Sequence, residues 1–470
     1  MNTLTKVGAA VAVVVVGWAA ATVVSGQRVQ AKLESQGPLG EPLDGGLFKV
    51  VNSEYRKSFL GAKRTVSVDI GCAQDGKPAP RLIVQQDIQH GPLPGLRAIG
   101  AARITTTLVL DSEARARLKE AIGTEELPLE IVTVAGFGGG SRTDVTSPGF
   151  SAKNAQAGMQ IVLKPMAMTM DSAADGNTTL TYDVQGYELQ DGRGTTMVLA
   201  GVKGSSQGMA PHWYAMGTKA DAQIERFEMR VPQSGAKPAF LLTNMKATST
   251  GTLADDLYSA QTTMTGSAEV AGQKLEDFTM KASMKNLKAS AYAKLISTLM
   301  QPKLGCDKPG EAPAMAVKRQ MEEMQADMVA LLPSNPEFSL DELSVKLEGH
   351  KALLSYAVGT QGMTADDLKA GFNPALMAKV KLNAMVETTT GFLQAVAKLA
   401  NQPHQMVDGM VAQGVERGFL KQEGETIRAV FALDKGEALL NGKPIPLPGL
   451  TPPAPPAEPV EGGEAAPAPQ

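Results

Sequence analysis

Apolar and polar residues alternate with a period of two through most of the chain from about residue 45 to residue 347. TVSVDI sets Val66, Val68 and Ile70 on one face, and ARITTTLVL does the same with Ile104, Leu108 and Leu110. The alternation recurs in IVLKPMAMTM, TLTYDV, MVLAGV, FEMRV, FTMKASM and FSLDELSVKL. Turn clusters such as Asp75-Gly76, Asp175-Gly176, Asp191-Gly192 and Ser249-Thr250-Gly251 separate these runs. Side chains on a strand point alternately to its two faces, so the pattern predicts antiparallel sheet with one dry and one wet face. No strand–helix–strand rhythm is visible, which argues against a doubly wound enzyme fold.

A longer period intervenes in places. SEARARLKEAIG opens on Ser112 as an N-cap and stops at Gly123, and AYAKLISTLM over 291–300 is a second helix. Over 314–332, Val317, Met321, Met324, Met328 and Leu331 recur at helical spacing, with Lys318, Arg319, Glu322, Glu323 and Asp327 opposite. That stripe predicts a helix with its Met side in the core, or a Met-lined contact for a lipid or a partner. Residues 364–420 read as three or four helices broken at Pro374, Gly391 and Pro403. A hairpin then follows, TIRAVFALD, Lys435-Gly436 and EALLNGKPI. The expected fold is α+β, with a large, curved, mainly antiparallel body, a helical C-terminal part and a closing β-hairpin. The body occupies 45–310, and the helical part with its hairpin 311–450. A Pro/Ala tail over 451–470 has no capacity for a core.

The N-terminus carries another signal. Val7 to Val24 is an uncharged apolar run, VGAAVAVVVVGWAAATVV, preceded by Lys6 and followed by Arg28 and Lys32. At 1.5 Å per residue it spans about 27 Å, close to the roughly 30 Å of a hydrocarbon core. Two readings fit, an uncleaved signal anchor or a signal peptide cleaved near Ala19 and Ala21. The run is longer than a usual signal core and Trp18 suits a membrane boundary, so the anchor is preferred. It leaves 1–6 as a cytoplasmic tail and 25–44 as a linker.

Composition removes several function classes. Forty-five Lys+Arg against 48 Asp+Glu leave a net charge of −3, without the basic footprint of a nucleic-acid binder. Two cysteines and four histidines give no zinc-site spacing, and the reading includes no cofactor. Cys72 and Cys306 each follow a glycine and are a disulfide candidate in an oxidising compartment. GFGGG (136–140) is followed by turn-like sequence instead of the helix a dinucleotide loop needs, and reads as a hairpin tip. Gly204-Ser205-Ser206-Gln207-Gly208 matches G-x-S-x-G, yet Pro211 stands where the helix of a nucleophile elbow belongs. A turn is expected there. His212-Trp213-Tyr214 is the densest aromatic spot, either a core plug or a ligand contact.

Three features in order resemble the YdgA-like proteins of Gram-negative bacteria. They are the N-terminal anchor, His90-Gly91-Pro92-Leu93-Pro94 after a strand, and Leu440-Asn441-Gly442-Lys443-Pro444 near the end. The resemblance implies an inner-membrane anchor, a periplasmic body and self-association, and no reaction. Read physically, Gly91-Pro92 ends a strand, Asn441-Gly442 forms a tight turn, and His90 is a structural histidine. The expectation is a non-enzymatic, membrane-anchored periplasmic protein that shelters acyl chains or a partner segment on an apolar sheet face. The alternatives are a periplasmic serine hydrolase using Ser206 or His90, and a self-associating module without a small ligand.

Overall fold

The structure, a computed structural model, describes residue 30 and residues 48–70, 79, 81–122, 125, 128–154, 158–209, 216–232, 237–270, 272–300, 313–369, 374–399 and 402–446. The anchor over 7–24, the tail, Cys72, Cys306 and His212-Trp213-Tyr214 lie outside the described residues. The chain opens with β1 (Phe48–Lys57), β2 (Gly61–Ile70), β3 (Arg81–His90), β4 (Ala102–Leu110), β5 (Glu130–Ala135) and β6 (Ser141–Ser147). Then come β7 (Phe150–Asn154), β8 (Met159–Leu163), β9 (Met166–Ser172), β10 (Asn177–Gln190), β11 (Thr196–Met209) and β12 (Gly217–Arg230). Next are β13 (Phe240–Ala254), β14 (Leu257–Val270), β15 (Gln273–Lys288), β16 (Glu337–Leu347), β17 (His350–Thr360) and β18 (Val380–Thr389). The last are β19 (Lys421–Glu423), β20 (Thr426–Asp434), β21 (Glu437–Leu440) and β22 (Lys443–Pro444). The helices are α1 (Ser112–Ile122), α2 (Ala289–Met300), α3 (Pro313–Val329), α4 (Ala365–Lys369), α5 (Pro374–Met377), α6 (Thr390–Leu399) and α7 (His404–Glu416).

All the described strands join one antiparallel sheet, and nearly every strand pairs with its neighbours in sequence. β6 with β7, and β8 with β9, act as two long strands interrupted at Pro148-Gly149 and Lys164-Pro165, since β9 and β8 line the same edge of β10. Proline has no N–H for the ladder, so each interruption is where the chain cannot donate. The sheet also runs on past residue 310, with Ala282 of β15 opposite Leu340 of β16.

Register explains the alternation. One row across the sheet passes from Ile131 through Val145, Met168, Tyr182, Gly204 and Ala222. It continues through Ala247, Met264, Met280, Leu343, Leu354, Val386 and Ala429 without meeting a charged or amide side chain. The next row, one residue along each strand, points to the opposite face. It reads Asp144, Thr169, Thr181, Ser205 and Asp221, then Thr248, Thr263, Lys281 and Glu342. Hydrogen bonds lace this polar row: Thr169 donates to Asp144 at 2.7 Å, Ser205 to Asp221 at 2.5 Å, and Lys281 pairs with Glu342 at 2.9 Å.

A line of irregularities then crosses the strands. Register shifts fall at Thr243/Lys246, Gly266/Ala268, Glu276/Thr279 and Leu340/Leu343. Such bulges bend and twist a sheet. Gly201 has φ +61°, and a Cβ there would lie 2.3 Å from Cδ of Glu225, so glycine is favoured. Beyond this line the apolar set moves by one position to Tyr187, Leu199, Phe227 and Leu242, again in register. The period-two rule therefore restarts there, with Phe227 edge-on to Phe240 at 6.1 Å.

The buried residues form separate clusters. Val66, Val68 and Val84 make one, Ala62, Ile88, Ala102 and Ile104 another. Tyr258, Ala260, Leu287 and Leu331 pack with Tyr292 and Leu295 of α2, while Val407 and Val411 of α7 bury Ile427.

Three expectations are corrected. Within 364–420, Val380–Thr389 is a strand, because its neighbours Leu354 and Ala429 offer a ladder on either side. Gly204–Gly208 is strand, not a turn, since β10 and β12 pair with it throughout. Of the 314–332 stripe only Leu331, beyond the end of α3, is in the core: Met321 is 59% exposed, and Val317 and Met328 are also exposed, with Met324 half-buried. Polar bonding rotates this helix. Asp327 is buried, accepts from Thr298 of α2 at 2.7 Å and pairs with Lys294 at 2.7 Å, while Gln320 donates to the Thr298 carbonyl at 2.9 Å.

Candidate functional site

Two places carry the sequence signals. The first is the apolar face. Among the described residues the helices pack on β3–β4, β7–β8 and β14–β18 with β20, leaving the apolar row on β9–β13 without a helix over it. Met168, Tyr182, Ala222 and Ile224 there are half-buried. An apolar sheet face normally packs against a second layer, so this stretch is a surface short of a partner. Depressions on the sheet are shallow: one of about 250 Å³ is lined by residues that include Leu340, Tyr356, Ala384, Met385 and Val430. Another, about 270 Å³, borders Glu228. Burial opposes ionisation of Glu228, but hydrogen bonds from Arg226 and Arg230 hold its carboxyl below the usual range. In the sequence only the alternation Arg226, Glu228, Arg230 hints at this cluster, in which Glu228 is buried between two half-exposed arginines.

The second place is the end of β3. His90 is buried, and its Nε2 has no hydrogen-bond partner. Burial, then the nearby Lys57 charge, pushes the imidazole below its ordinary pKa, so it is neutral near pH 7. Its backbone N–H donates to Leu60 (2.8 Å), Gly91 to Ala101 (3.1 Å), and Ala101 to Ala135 (2.7 Å). Gly91 has φ +116° and Gly95 φ +58°, which lets residues 91–101 wind back over the sheet edge. His90 faces Ala102 across the ladder and lies on β3, while Ser206 sits mid-strand on β11 between Leu180 and Ala220. The nucleophile elbow is therefore not formed.

The closing motif is a clamp. Asn441 (φ +53°) and Gly442 (φ +82°) make the expected tight turn. Buried Asn441 also accepts from Val430 N–H at 2.9 Å and donates to the Gly418 and Phe419 carbonyls at 3.0 Å each. Lys443 and Pro444 form the short strand β22 against β21. Among the described residues no group of His, Cys, Asp and Glu is placed to hold a metal. No described helix is long and apolar enough to cross a membrane.

The family model for DUF945, bacterial proteins of unknown function, matches residues 1–448. The chain belongs to the DUF945 family. The match takes in the apolar N-terminal run, the HGP loop and the Asn441 turn together, and stops just before the Pro/Ala tail. No curated protein and no solved structure matches the chain.

Proposed function

We propose that this DUF945 protein is a YdgA-like envelope protein, held in the inner membrane by residues 7–24 with its body in the periplasm. There it shelters lipid acyl chains on the apolar face of its sheet and catalyses no reaction. The observation that carries this reading is the unbroken apolar row from Ile131 to Ala429, over which no helix packs on β9–β13 among the described residues. The five strands β9–β13, at about 4.8 Å spacing, span about 19 Å, room for an acyl chain laid across them. The row is rich in Met and Ala, which present soft or flat surface to a flexible chain. The fatty chains gain about 0.8 kcal/mol per methylene removed from water.

Mass spectrometry of lipids co-purifying with the detergent-extracted full chain tests this. Stoichiometric lipid that survives delipidating washes is expected. A lipid-free protein with a bound peptide would favour a partner segment instead. The exposed Met321 and Met328 on α3 support a second reading, self-association through that helix. Light scattering of wild type and Met321→Glu separates it: a dimer lost in the variant would establish that contact.

A further inference from the structure

We infer that the sheet edge at the HGP loop is a membrane-contacting tip that inserts apolar side chains into an anionic bilayer surface. Three connections lie side by side there: Ser58–Leu60 between β1 and β2, 91–101 between β3 and β4, and Gly136–Gly140 between β5 and β6. Backbone bonds tie the first two together through His90 N–H to Leu60, and the last two through Ala101 N–H to Ala135. Their tips are apolar and bare. Leu96 is 84% exposed, Ile99 79% and Phe59 64%, with Leu60, Leu93 and Phe137 also exposed.

Surface connections are ordinarily polar, so six large apolar tips within six adjacent strands, about 24 Å, form a patch that marks a contact. The charge around it has one sign. The three connections contain no Asp or Glu, and exposed Lys57 and Arg97 flank the apolar tips. Acidic turns begin farther along the same edge, at Asp175 and at Asp255-Asp256. Apolar tips with a basic fringe match an anionic lipid surface, where burial and attraction to headgroups add together. The tips are also held out rigidly. Leu96 has φ +57°, an uncommon conformation for leucine, and its N–H donates to Leu93 at 3.1 Å while that of Arg97 donates to Pro94 at 3.3 Å. The 23 residues between Val24 and Phe48 can reach about 80 Å, more than twice the length of β1, so an anchored chain can bring this edge to the bilayer.

The inference rests on the proposed membrane location and not on lipid lying along the apolar face. The test is tryptophan quenching in the full chain, reconstituted in phosphatidylcholine–phosphatidylglycerol vesicles with or without brominated acyl chains. In a Trp213→Phe background Trp18 reports the anchor; in a Trp18→Phe, Trp213→Phe background, Leu96→Trp reports the tip. Arg193→Trp, in the turn at the opposite edge, is the control. The expected result for Leu96→Trp is blue-shifted emission lowered about twofold by bromine, since interfacial segments sit about 5–10 Å into the headgroup–acyl boundary. Arg193→Trp stays unquenched, and pure phosphatidylcholine weakens the Leu96→Trp effect. Water-like, unquenched Leu96→Trp emission beside a quenched Trp18 overturns the tip and spares the anchor. A blue shift without bromine quenching also overturns it, because a second copy then covers the loop. Quenching at Leu96→Trp without quenching at Trp18 supports the tip and removes the anchor.

Discussion

Adjacent residues on β12 offer a direct test of the apolar face. Ile224 lies in register with Val202 and Met245, on the apolar side. Gln223 lies on the polar side, opposite Lys203 and Lys246. Ile224→Glu and Gln223→Glu introduce the same charge one residue apart, on opposite faces. Full burial of an isoleucine is worth about 1.5–3 kcal/mol, so covering the half-buried Ile224 with an acyl chain contributes about 1 kcal/mol. A carboxylate in its place adds a desolvation cost of at least about 1 kcal/mol. The sum, about 2 kcal/mol, corresponds to about a 30-fold loss of retained lipid for Ile224→Glu. Gln223→Glu gains two lysine neighbours and keeps lipid at the wild-type level. The assay is quantitative lipid mass spectrometry per mole of protein, with urea unfolding followed by circular dichroism to confirm that both variants fold. If Ile224→Glu unfolds, Val184→Thr serves, because Val184 is in the same row and threonine keeps its shape. Equal lipid in Ile224→Glu, Val184→Thr and Gln223→Glu would refute the assignment of the face.

Three further outcomes follow from the polar contacts. Glu342 accepts from Lys281, Ser344 and Lys351, which holds its pKa down to about 2. Its contribution, about 1–2 kcal/mol after screening of the half-exposed lysines, is present above the ordinary pKa near 4.5 and is lost as pH falls toward 2; urea titrations of wild type and Glu342→Gln should differ at pH 7 and converge near pH 2. His90, neutral when folded, costs nothing above about pH 6.5 and destabilises the fold as pH falls below that, because only the unfolded chain then takes up the proton. His90→Gln should flatten the difference in unfolding midpoint between pH 7.5 and pH 5.5. Asn441→Ala should cost about 1–3 kcal/mol in urea unfolding by leaving Val430 N–H unmet, with Asn441→Asp recovering part of it.

The strands were legible because a single apolar face leaves a period-two trace, as in Val66 and Val68 or Met166, Met168 and Met170. The trace fails where the fold breaks the period. At Glu225 the apolar positions jump from Ile224 to Phe227 with no shift of register, and nothing local in IERFEM announces the change of face. Strand β18 was hidden for another reason. VKLNAMVETT lies between short helices, and its extended form is selected by β17 and β20, which are remote in sequence. The α3 orientation does not follow from hydrophobicity, although Met, Val and Leu recur at helical spacing. Two polar residues, Gln320 and Asp327, instead find partners on α2. The HGP loop was visible as a motif, and its apolar tips were not, since exposure of Leu96 or Phe137 is a property of the neighbouring turns and not of any one segment.

The edges of the sheet explain why its unmet demand falls on a face. An open antiparallel sheet has two free ladders, each a template for another strand. At one end, β1 carries Lys49, Glu54, Arg56 and Lys57, whose charges oppose stacking of a second copy. At the other, β22 is two residues long and ends on Pro444, which offers no N–H. Asn441 fixes that hairpin against the turn after α7, so the end strand cannot swing away to pair elsewhere. With these edges blunted and the polar face laced by cross-strand ion pairs, the apolar row on β9–β13 is, among the described residues, a sheet face without a helix over it. A partner that matches it has to be apolar, adaptable and indifferent to hydrogen bonding. Acyl chains meet all three conditions; an added β-strand meets none, because the face presents side chains and no free backbone groups.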